Sequence, residues 1–328
     1  MKTKALVTGA SGFLGGHMAQ TLIEKNWQVT CLLRPKSRID FLDEKKIQVF
    51  RGDMEDIHLL ERSVEGQEYI FHLAARIRST SKENYDRSNH LLTKNLLQAC
   101  KNKDQNLKRF VFISSISAAG PSSPERFAKE EDAPSPNSEY GRTKLKAEKA
   151  VQNAWDEIPA TIIRPPNIYG PRLPEVEQIM RLIKKRIVPL LKDRGKVTSL
   201  IYFRDLIDGI LAAAQSPNAN KQVYYLTDGE GYSWRDAILA FKKELLGQSI
   251  YLPLPESIIV LFAWLTDILK KWGLIKTHFG RRAWRAMVKT SWLFSSEKAK
   301  NDFGFHPCRT LEAGIKETAE HYRQSGIL

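Results

Sequence analysis

Three glycines at intervals of three residues constrain the fold of this chain more than any other feature. They are Gly9, Gly12 and Gly15, and they follow the apolar segment Lys4–Thr8, which has the composition of a short buried strand. Apolar residues then recur at helical spacing, at Phe13, Leu14, Met18, Leu22 and Ile23. The order of strand, glycine turn and helix is typical of the first unit of a doubly wound parallel sheet, and it therefore predicts an α/β fold.

A glycine turn in this context has a chemical use. The first glycine permits a tight turn, the second lets backbone N–H groups approach a pyrophosphate, and the third lets the helix pack closely on the strand. The residues predicted to line this dinucleotide site are Gly9, Ser11, Gly12, Phe13, Leu14 and Gly15. The alternative, a plain turn that binds nothing, is disfavoured by the flanking strand and helix.

The second predicted strand, Trp27–Leu33, ends in positive charge. In folds that select NAD, an acidic residue at this strand end binds the ribose 2′-hydroxyl, but here Leu33 stands at that position and no acid occurs before Asp40. Three cations follow the strand instead, namely Arg34, Lys36 and Arg38. Because these cations fit a 2′-phosphate, we predict NADP(H) as the preferred cofactor and NAD(H) as the alternative. A solvated basic loop is the other interpretation.

The third predicted strand, Ile47–Phe50, leads to residues placed for an adenine ring. Asp53 can accept a hydrogen bond from the adenine amino group, and Met54 can pack on the ring. The alternative is that Asp53 caps a helix starting near Glu55, and the two roles are compatible.

The fourth predicted strand, Tyr69–Leu73, ends in two small residues, Ala74 and Ala75. Small residues at a strand end let the backbone come close to a ribose or a nicotinamide. Leu73, Ala74 and Ala75 are therefore predicted cofactor contacts.

The fifth predicted strand, Arg109–Ile113, is almost continuously apolar, as a buried parallel strand is. It ends in three serines, Ser114, Ser115 and Ser117. Ligands bind at the C-terminal ends of strands in open α/β sheets, so we expect these residues at the site, with Ser114 among the cofactor contacts.

A tyrosine and a lysine four residues apart open the helix that follows, which we predict to run through about Trp155. Tyr140 and Lys144 share one helix face. A phenol with an unperturbed pKa of about 10 is a poor acid–base group at neutral pH, but a neighbouring ammonium lowers its pKa. An exposed pair without a catalytic role is the alternative, and the glycine turn and serine-tipped strand favour catalysis.

These features in combination resemble the extended short-chain dehydrogenases/reductases, the NAD-dependent epimerase/dehydratase family. Dihydroflavonol-reductase-like and 3β-hydroxysteroid-dehydrogenase-like members are the most similar subgroups. The matching residues cover nearly the whole chain: TGASGFLG (8–15), Asp53, HLAA (72–75), YDRSNHLLTKNLLQAC (85–100), VFISSISAAG (111–120), YGRTK (140–144), RPPNIYGPR (164–172), RDLIDGI (204–210), VYYLTDG (223–229) and WLFSSEKAKNDFGFHP (292–307).

The resemblance implies a Rossmann-type doubly wound parallel sheet with a smaller, mainly helical substrate lobe. The dinucleotide-binding domain would comprise residues 1–165 and about 198–227. The lobe and the C-terminal helices would comprise about 166–197 and 228–328. The resemblance also implies a homodimer.

The family roles carry over residue by residue. Tyr140 is the general acid/base, and Lys144 holds the nicotinamide ribose and lowers the Tyr140 pKa. Ser115 donates a hydrogen bond to the substrate oxygen, with Ser117 as a weaker candidate on the same side of an extended segment. Asn89 takes part in a water relay behind the lysine. Within the RPPNIYGPR match, the expected cofactor contact is Pro166.

Two positions bear on the substrate. Asn167 stands where nucleotide-sugar members of the family place an asparagine near the diphosphate. Those members usually carry an arginine seven positions before the aspartate that corresponds to Asp205, and here that position is Thr198. A threonine cannot clamp a diphosphate, which argues against a nucleotide-sugar epimerase or dehydratase.

A basic, tryptophan-rich segment covers about residues 254–292. Its tryptophans are Trp264, Trp272, Trp284 and Trp292. Leu254–Trp272 can form a strongly apolar helix with a basic end. We favour a lobe helix packed on the core. The alternative is that the segment forms a lid over an apolar substrate and lies against an anionic membrane surface, so that the protein is peripheral to the membrane.

Composition limits the remaining possibilities. The chain of 328 residues is 42% hydrophobic and 27% charged, which is typical of a globular protein, and its net charge of +14 attracts anions. The three cysteines form no C-x-x-C pair and the histidines no H-E-x-x-H, so neither a metal site nor a disulfide framework is predicted. The absence of a signal peptide and of an apolar run of about 20 residues predicts a cytoplasmic protein. No nucleic-acid module is present, and we expect no nucleic-acid partner.

The sequence therefore predicts an NADP(H)-dependent oxidoreductase. It would transfer a hydride between the nicotinamide and a carbonyl or secondary alcohol of an apolar small-molecule substrate. The first alternative is a nucleotide-sugar epimerase or dehydratase, and the second is a non-catalytic protein that senses NADP(H).

Overall fold

The computed structural model describes residues 2–39, 41–77, 81–103, 106–189, 194–248, 250–272, 280–281, 284 and 289–328. Its strands are β1 (Lys4–Thr8), β2 (Gln28–Leu33), β3 (Ile47–Arg51), β4 (Tyr69–His72), β5 (Arg109–Ile113), β6 (Ala160–Arg164), β7 (Asn167–Tyr169), β8 (Ile187–Pro189), β9 (Val197–Thr198), β10 (Leu200–Tyr202), β11 (Gln222–Tyr225), β12 (Tyr232–Ser233) and β13 (Leu252–Leu254).

Seven of these strands form one parallel sheet in the spatial order β3-β2-β1-β4-β5-β6-β11. The order reverses direction at β1, which is the arrangement of a doubly wound sheet. The predicted fold is therefore confirmed, and most predicted strand limits differ from the observed ones by one residue or none. Three two-stranded pairs, β7 with β10, β9 with β12 and β8 with β13, lie outside this sheet.

Helices cover both faces of the sheet. They are α1 (Phe13–Glu24), α2 (Ile57–Val64), α3 (Lys82–Tyr85), α4 (Leu92–Lys103), α5 (Ile116–Ala119), α6 (Glu139–Asn153), α7 (Pro174–Lys184), α8 (Phe203–Gln215), α9 (Trp234–Leu246), α10 (Glu256–Lys271), α11 (Glu297–Phe303) and α12 (Leu311–Gln324). A π-helical segment, Asp86–Leu91, joins α3 to α4.

The strands alternate their side chains between two apolar cores. Val7 of β1 packs in the core that α1 and α8 share with α7, α9 and α12, whereas Leu6 packs in the core that α2, α4 and α6 form. Each large apolar side chain buried in this way contributes about 1.5–3 kcal/mol to folding. The two cores hold the sheet rigidly, and so fix the positions of its strand ends.

Helix caps determine where the helices start. Ser138 accepts a hydrogen bond from the N–H of Gly141, so α6 begins at Glu139, one residue before Tyr140. Asp56 caps α2 through the N–H groups of His58 and Leu59. The alternative in which Asp53 caps a helix near Glu55 is therefore wrong, because the helix starts later, at Ile57, and Asp53 accepts from the Glu55 N–H in a turn.

The helix predicted from Leu254 starts at Glu256, because Leu254 belongs to β13 and Pro255 is the N-cap residue. The helix packs on the core as predicted, through Ile259 and Ala263, but its outer side is exposed. Only Ile259 and Ala263 are buried among the side chains that the structure describes in α10. Its exposed large apolar residues are Ile258, Val260, Leu261, Phe262, Trp264 and Leu265.

Part of the predicted segment 254–292 lies outside the described residues, at 273–279, 282–283 and 285–288. Among the helices that are described, none is long and apolar enough to cross a bilayer. The division of the chain into a dinucleotide-binding domain and a lobe stays a prediction, as does the homodimer.

Candidate active site

The C-terminal ends of neighbouring strands meet along one edge of the sheet. Thr8 of β1 is paired in register with Leu32 of β2 and with His72 of β4, and Ile113 of β5 is paired with Ile163 of β6. The segments that follow these residues therefore lie side by side. They hold the glycine turn, the basic loop, the alanine pair and the serines that the sequence singles out.

The glycine turn forms a cradle that side chains would fill. Gly9 has a φ of +78°, and a Cβ there would lie 2.8 Å from the backbone nitrogen of Ala74. A Cβ at Gly15 would overlap the carbonyl oxygen of Gly9, so the helix packs against the turn as predicted. Gly12 caps α1 without a side-chain hydrogen bond. A free helix start beside a cleared backbone surface fits a pyrophosphate.

The remaining pyrophosphate-site residues predicted from the sequence also lie in this turn and in the first helical turn. Ser11 is in the turn, and Phe13 and Leu14 open α1, all three partly buried. Phe13 additionally contacts the His17 ring at a centroid distance of 5.1 Å and packs against the core. Because the ring is engaged within the protein, we expect any contact of Phe13 with a cofactor to be made through its backbone N–H.

The basic loop after β2 lies at the same edge. Leu33 is buried, and the cations that follow it, Arg34, Lys36 and Arg38, have exposed side chains. Arg51, in the neighbouring strand, donates a hydrogen bond of 2.7 Å to the carbonyl oxygen of Ser37 and so holds the loop against the sheet. Asp40 lies outside the described residues.

The residues predicted to contact the adenine and the nicotinamide differ in how far they are buried within the protein. Asp53 is exposed, and Met54 is half-buried against the core beneath α2. Leu73 and Ala74 are half-buried, Ala75 is exposed, and Pro166 is buried after β6. They lie at the strand ends as the sequence predicts, and their contact with a cofactor stays a prediction.

Ser115, Tyr140 and Lys144 come together where β5 meets α6. The Ser115 hydroxyl lies close enough to the Tyr140 phenol to act on its pKa. Lys144 lies one helical turn further on, is only 1% exposed, and donates a hydrogen bond of 2.6 Å to the carbonyl oxygen of Ile113. Its ammonium also lies 4.0 Å from the centroid of the Phe112 ring. The three side chains thus surround the C-terminal end of β5.

Burial dominates the protonation of this group. It raises the pKa of Tyr140 to about 12, against the opposing effect of the Ser115 hydroxyl. It lowers the pKa of Lys144 to about 7, against the opposing charge of Glu148. The predicted lowering of the Tyr140 pKa by Lys144 is not observed in the protein alone, because burial raises this pKa and the Lys144 ammonium donates to the Ile113 carbonyl instead. Tyr140 is a neutral phenol at pH 7.

Ser117 lies on a different path from the one predicted. It belongs to the short helix α5, and its N–H donates a hydrogen bond of 3.1 Å to the Ser115 hydroxyl oxygen. The extended segment that would align Ser117 with Ser115 does not form, because Ser115 caps this helix. Ser117 therefore supports Ser115 through its backbone.

Asn89 is buried in the π-helical segment and braces the site from behind. Its side-chain oxygen accepts from the Arg76 N–H at 2.7 Å, and its amide donates to the Arg76 carbonyl oxygen and to the Thr143 hydroxyl at 3.1 Å each. Thr143 precedes Lys144 on α6. The structure thus gives Asn89 a positioning role, and its part in a water relay stays a prediction.

A buried ion pair behind Lys144 was missed by the sequence analysis. Glu148 and Arg164, 1% and 4% exposed, are joined by two hydrogen bonds of 2.9 and 2.7 Å. Ser114 donates its hydroxyl to the same carboxylate, so this predicted cofactor contact offers its backbone and not its side chain. Glu148 follows Lys144 by four residues, and this helical spacing could have placed Glu148 beside Lys144, although not its pairing with Arg164.

His72 forms a second polar chain that the sequence analysis did not find. The Ala74 N–H donates to the Thr8 hydroxyl at 3.1 Å, and the His72 ring joins that hydroxyl to Thr93 at 2.7 and 2.9 Å. Thr93 donates to the carbonyl oxygen of Asn89 at 2.7 Å. Burial lowers the pKa of His72 to about 3, so the ring is neutral. The chain couples the glycine cradle to the helix that carries Asn89.

Comparisons with known proteins agree with this geometry. The model of the NAD-dependent epimerase/dehydratase family matches residues 5–226. Ceramide reductase of Caulobacter vibrioides is 26% identical over 327 residues, which span 98% of this chain and 95% of that protein. UDP-glucose 4-epimerase of Vibrio cholerae is 28% identical over 337 residues, which span 99% of this chain and 97% of that protein.

The fold is shared with solved structures. UDP-glucose 4-epimerase of Thermotoga maritima superimposes with a TM-score of 0.78 at 23% identity, and the match covers 98% of this chain and 99% of that chain. The family model matches well over half of the chain, and its match contains the glycine cradle and the Ser–Tyr–Lys group. The chain therefore belongs to the NAD-dependent epimerase/dehydratase family, and it is an NAD(P)-dependent enzyme of the extended short-chain dehydrogenase/reductase type.

Proposed function

We propose that this enzyme is an NADP(H)-dependent oxidoreductase that interconverts a ketone or aldehyde and the corresponding alcohol in an apolar substrate. The observation that carries the proposal is the grouping of Ser115, Tyr140 and the buried Lys144 at the end of β5. This group lies on the same sheet edge as the glycine cradle, so a dinucleotide held there can extend towards it.

Each residue has a distinct task in this reaction. The reduced nicotinamide, when bound, supplies the hydride. Ser115 holds the carbonyl oxygen by donating its hydroxyl proton in a hydrogen bond. Tyr140, neutral at pH 7 because its pKa is raised to about 12, gives that oxygen a proton. Lys144 turns from the Ile113 carbonyl to the ribose hydroxyls, and Asn89 fixes the segment that carries it.

Two residues support an apolar substrate over a nucleotide sugar. The Asn167 amide donates a hydrogen bond of 2.9 Å to the Thr198 hydroxyl, and Thr198 is buried. At the position where a nucleotide-sugar enzyme of the family needs a cation, this chain has a neutral side chain that is already engaged. The near full-length similarity to ceramide reductase, whose name denotes a lipid substrate, supports the same choice.

The test of this function is a panel of long-chain ketones, sterol ketones and nucleotide sugars assayed by the absorbance of NADPH. We expect one NADPH consumed for each alcohol formed, with apolar ketones as the best substrates. Conversion of a UDP-sugar without net NADPH consumption would show instead that the enzyme is an epimerase, as the Vibrio cholerae relative is by name. Cofactor binding without turnover of any member would favour a sensor of NADP(H).

The exposed cations after β2 support NADP(H) over NAD(H). A guanidinium or ammonium bound to a phosphate contributes about 1.5–3 kcal/mol. Replacing Arg34 and Lys36 by alanine should therefore lower kcat/KM for NADPH by about tenfold or more and leave kcat/KM for NADH within about twofold. Steady-state kinetics with both cofactors measure this, and Arg62→Ala, an exposed arginine on α2, is the control. An equal loss with both cofactors would refute the predicted preference.

A further inference from the structure

Helix α10 is apolar on its outer side as well as on the side that packs on the core. Its inner stripe holds the buried Ile259 and Ala263 and then the half-buried Thr266 and Asp267. The outer side is apolar, with Phe262 55% exposed, Leu261 53% and Trp264 44%. A helix that packs on a protein core normally has charged or polar residues on its outer side. An outward apolar surface of this extent marks a binding surface for another apolar phase.

The exposed apolar residues continue before the helix begins. Ile250 is 85% exposed and Leu252 of β13 is 65% exposed. At the far end of the helix, Trp272 is 70% exposed. Tryptophan is favoured where an apolar phase meets water, because its ring is apolar and its N–H still finds a polar partner.

Positive charge adjoins this apolar surface. Lys184, Lys185 and Arg186, all with exposed side chains, lead into β8. The N–H of Leu252 donates a hydrogen bond of 2.8 Å to the carbonyl oxygen of Arg186, so this basic strip directly borders the exposed leucine. A row of cations beside an apolar surface is complementary to an anionic lipid headgroup layer above acyl chains.

A second copy of the chain fits this surface less well than a bilayer. A two-fold symmetric contact through this surface would bring the basic strips of the two copies close to each other, and their like charges would repel. The net charge of +14 adds to that repulsion and adds to the attraction of an anionic membrane. Because α10 has only 16 residues, it is too short to span the bilayer and can only lie in its surface.

We propose that the outer side of α10, with Ile250, Leu252 and the strip Lys184–Arg186, docks on an anionic membrane surface. Docking at this site would let an apolar substrate pass from lipid to the enzyme without crossing water. The substrate part of this inference rests on the proposed function, whereas membrane binding itself does not. Binding is therefore measured on the protein alone, without cofactor or substrate.

The experiment is co-sedimentation with vesicles of phosphatidylcholine, with and without about 30% phosphatidylglycerol. We expect binding to the anionic vesicles that weakens as salt rises. Replacing Leu261 and Phe262 by glutamate should reduce the partition coefficient by at least about tenfold. Replacing Lys184 and Lys185 by glutamine should reduce it by about tenfold at low salt and less at high salt.

The matched control carries Gln98→Glu and Asn153→Glu. It adds the same two negative charges at exposed positions of α4 and α6, which pack in the other core, on the opposite face of the sheet from α10. Its binding should stay within about twofold of the unmodified protein. Absence of binding to anionic vesicles, or equal binding of the α10 variant and this control, would overturn the proposal.

Two further measurements distinguish membrane docking from a contact between copies and from a failure of the proposed function. Light scattering without vesicles compares the oligomeric state of the unmodified protein with that of the α10 variant. If the unmodified protein does not bind vesicles and the variant has a lower oligomeric state, the surface is a contact between copies and the proposal fails. Turnover of a short, water-soluble ketone should be unchanged in the α10 variant. If the unmodified protein turns over no ketone, the proposed function is rejected and the membrane-binding result is unaffected.

Discussion

The catalytic edge of the sheet and helix α10 both depart from the usual distribution of polar and apolar residues, in opposite directions. At the edge, Lys144, Glu148 and Arg164 are buried, although charged residues are normally exposed. In α10, Phe262 and Leu261 are more than half exposed. Ordinary helices such as α12 bury their apolar residues and expose their charges. Departures from that pattern cost stability, so the two regions are where function is expected.

The difference between the regions is what surrounds the misplaced residues. The buried charges are satisfied by partners within the protein, as the two hydrogen bonds between Arg164 and Glu148 show. The exposed apolar residues of α10 have no comparable apolar cover among the described residues. The charges of the catalytic edge therefore have their partners within the protein, whereas the apolar side of α10 would be covered only by a second, larger surface.

The largest effect should come from removing the Tyr140 hydroxyl. Tyr140→Phe should lower kcat by about 10³-fold, because a positioned general acid contributes about 10²–10⁴-fold, and leave the NADPH Kd within about twofold. The matched control is Tyr85→Phe, whose ring lies 6.4 Å from that of Tyr140 and whose hydroxyl donates to the Ile77 carbonyl. It should lose less than about tenfold. Equal losses in both variants would remove Tyr140 from the chemistry.

The glycine cradle should be nearly as sensitive. Gly9→Ala should weaken NADPH binding by about 10- to 100-fold, because the added Cβ would lie 2.8 Å from backbone of residue 74 and the φ of +78° strains any side chain. Gly66→Ala is the control for strain alone, since its φ is +71° and nothing lies within 4 Å of the added Cβ. Calorimetric titration with NADPH compares the two. Equal affinities would show that the cradle is not the cofactor site.

Lys144→Met should abolish turnover and stabilise the fold at pH 7 by about 1–3 kcal/mol, because it removes a buried charge. Folding lowers the pKa of Lys144 from 10.5 to about 7. Between these values the unfolded chain holds a proton that the folded chain does not, so the native protein loses stability as pH falls through this range. The gain from Lys144→Met should therefore shrink from pH 7 to pH 10. A gain independent of pH, in urea unfolding experiments, would contradict this account.

The smallest effect belongs to the other region. Replacing Leu261 and Phe262 by glutamate should change the free energy of unfolding by less than about 0.5 kcal/mol, since exposed side chains contribute little to the fold. Ile315→Glu, at a fully buried position of α12, is the contrasting variant and should unfold the protein. If the α10 variant is also strongly destabilised, its apolar side chains are covered in the folded protein, and the comparison between the two regions fails.

The sequence predicted the parts of the molecule that depend on local pattern. The glycine turn, the strand Arg109–Ile113 and the helix carrying Tyr140 were all found where predicted. Buried parallel strands are recognisable because they are continuously apolar, and a glycine turn because its spacing is dictated by backbone clearance. These local signals also identified the family.

What the sequence could not predict depends on contacts between distant segments. The pairing of Glu148 with Arg164 and the chain from Thr8 through His72 to Thr93 become apparent only when strands and helices are assembled. The pKa of Tyr140 was predicted to fall and instead rises, because burial cannot be read from a four-residue spacing. An outward-facing α10 was given only as the alternative, because an apolar helix normally packs on a core.

The most direct test of the account is the fate of the hydride. The enzyme would be given NADPH deuterated at the transferring position of C4 together with a long-chain ketone, and the product would be analysed by mass spectrometry. The account predicts one deuterium on the new carbinol carbon for each NADPH oxidised, and a rate of transfer about 10³-fold lower in Tyr140→Phe. Deuterium retained on the cofactor, or transfer that is as fast without the Tyr140 hydroxyl, would contradict it.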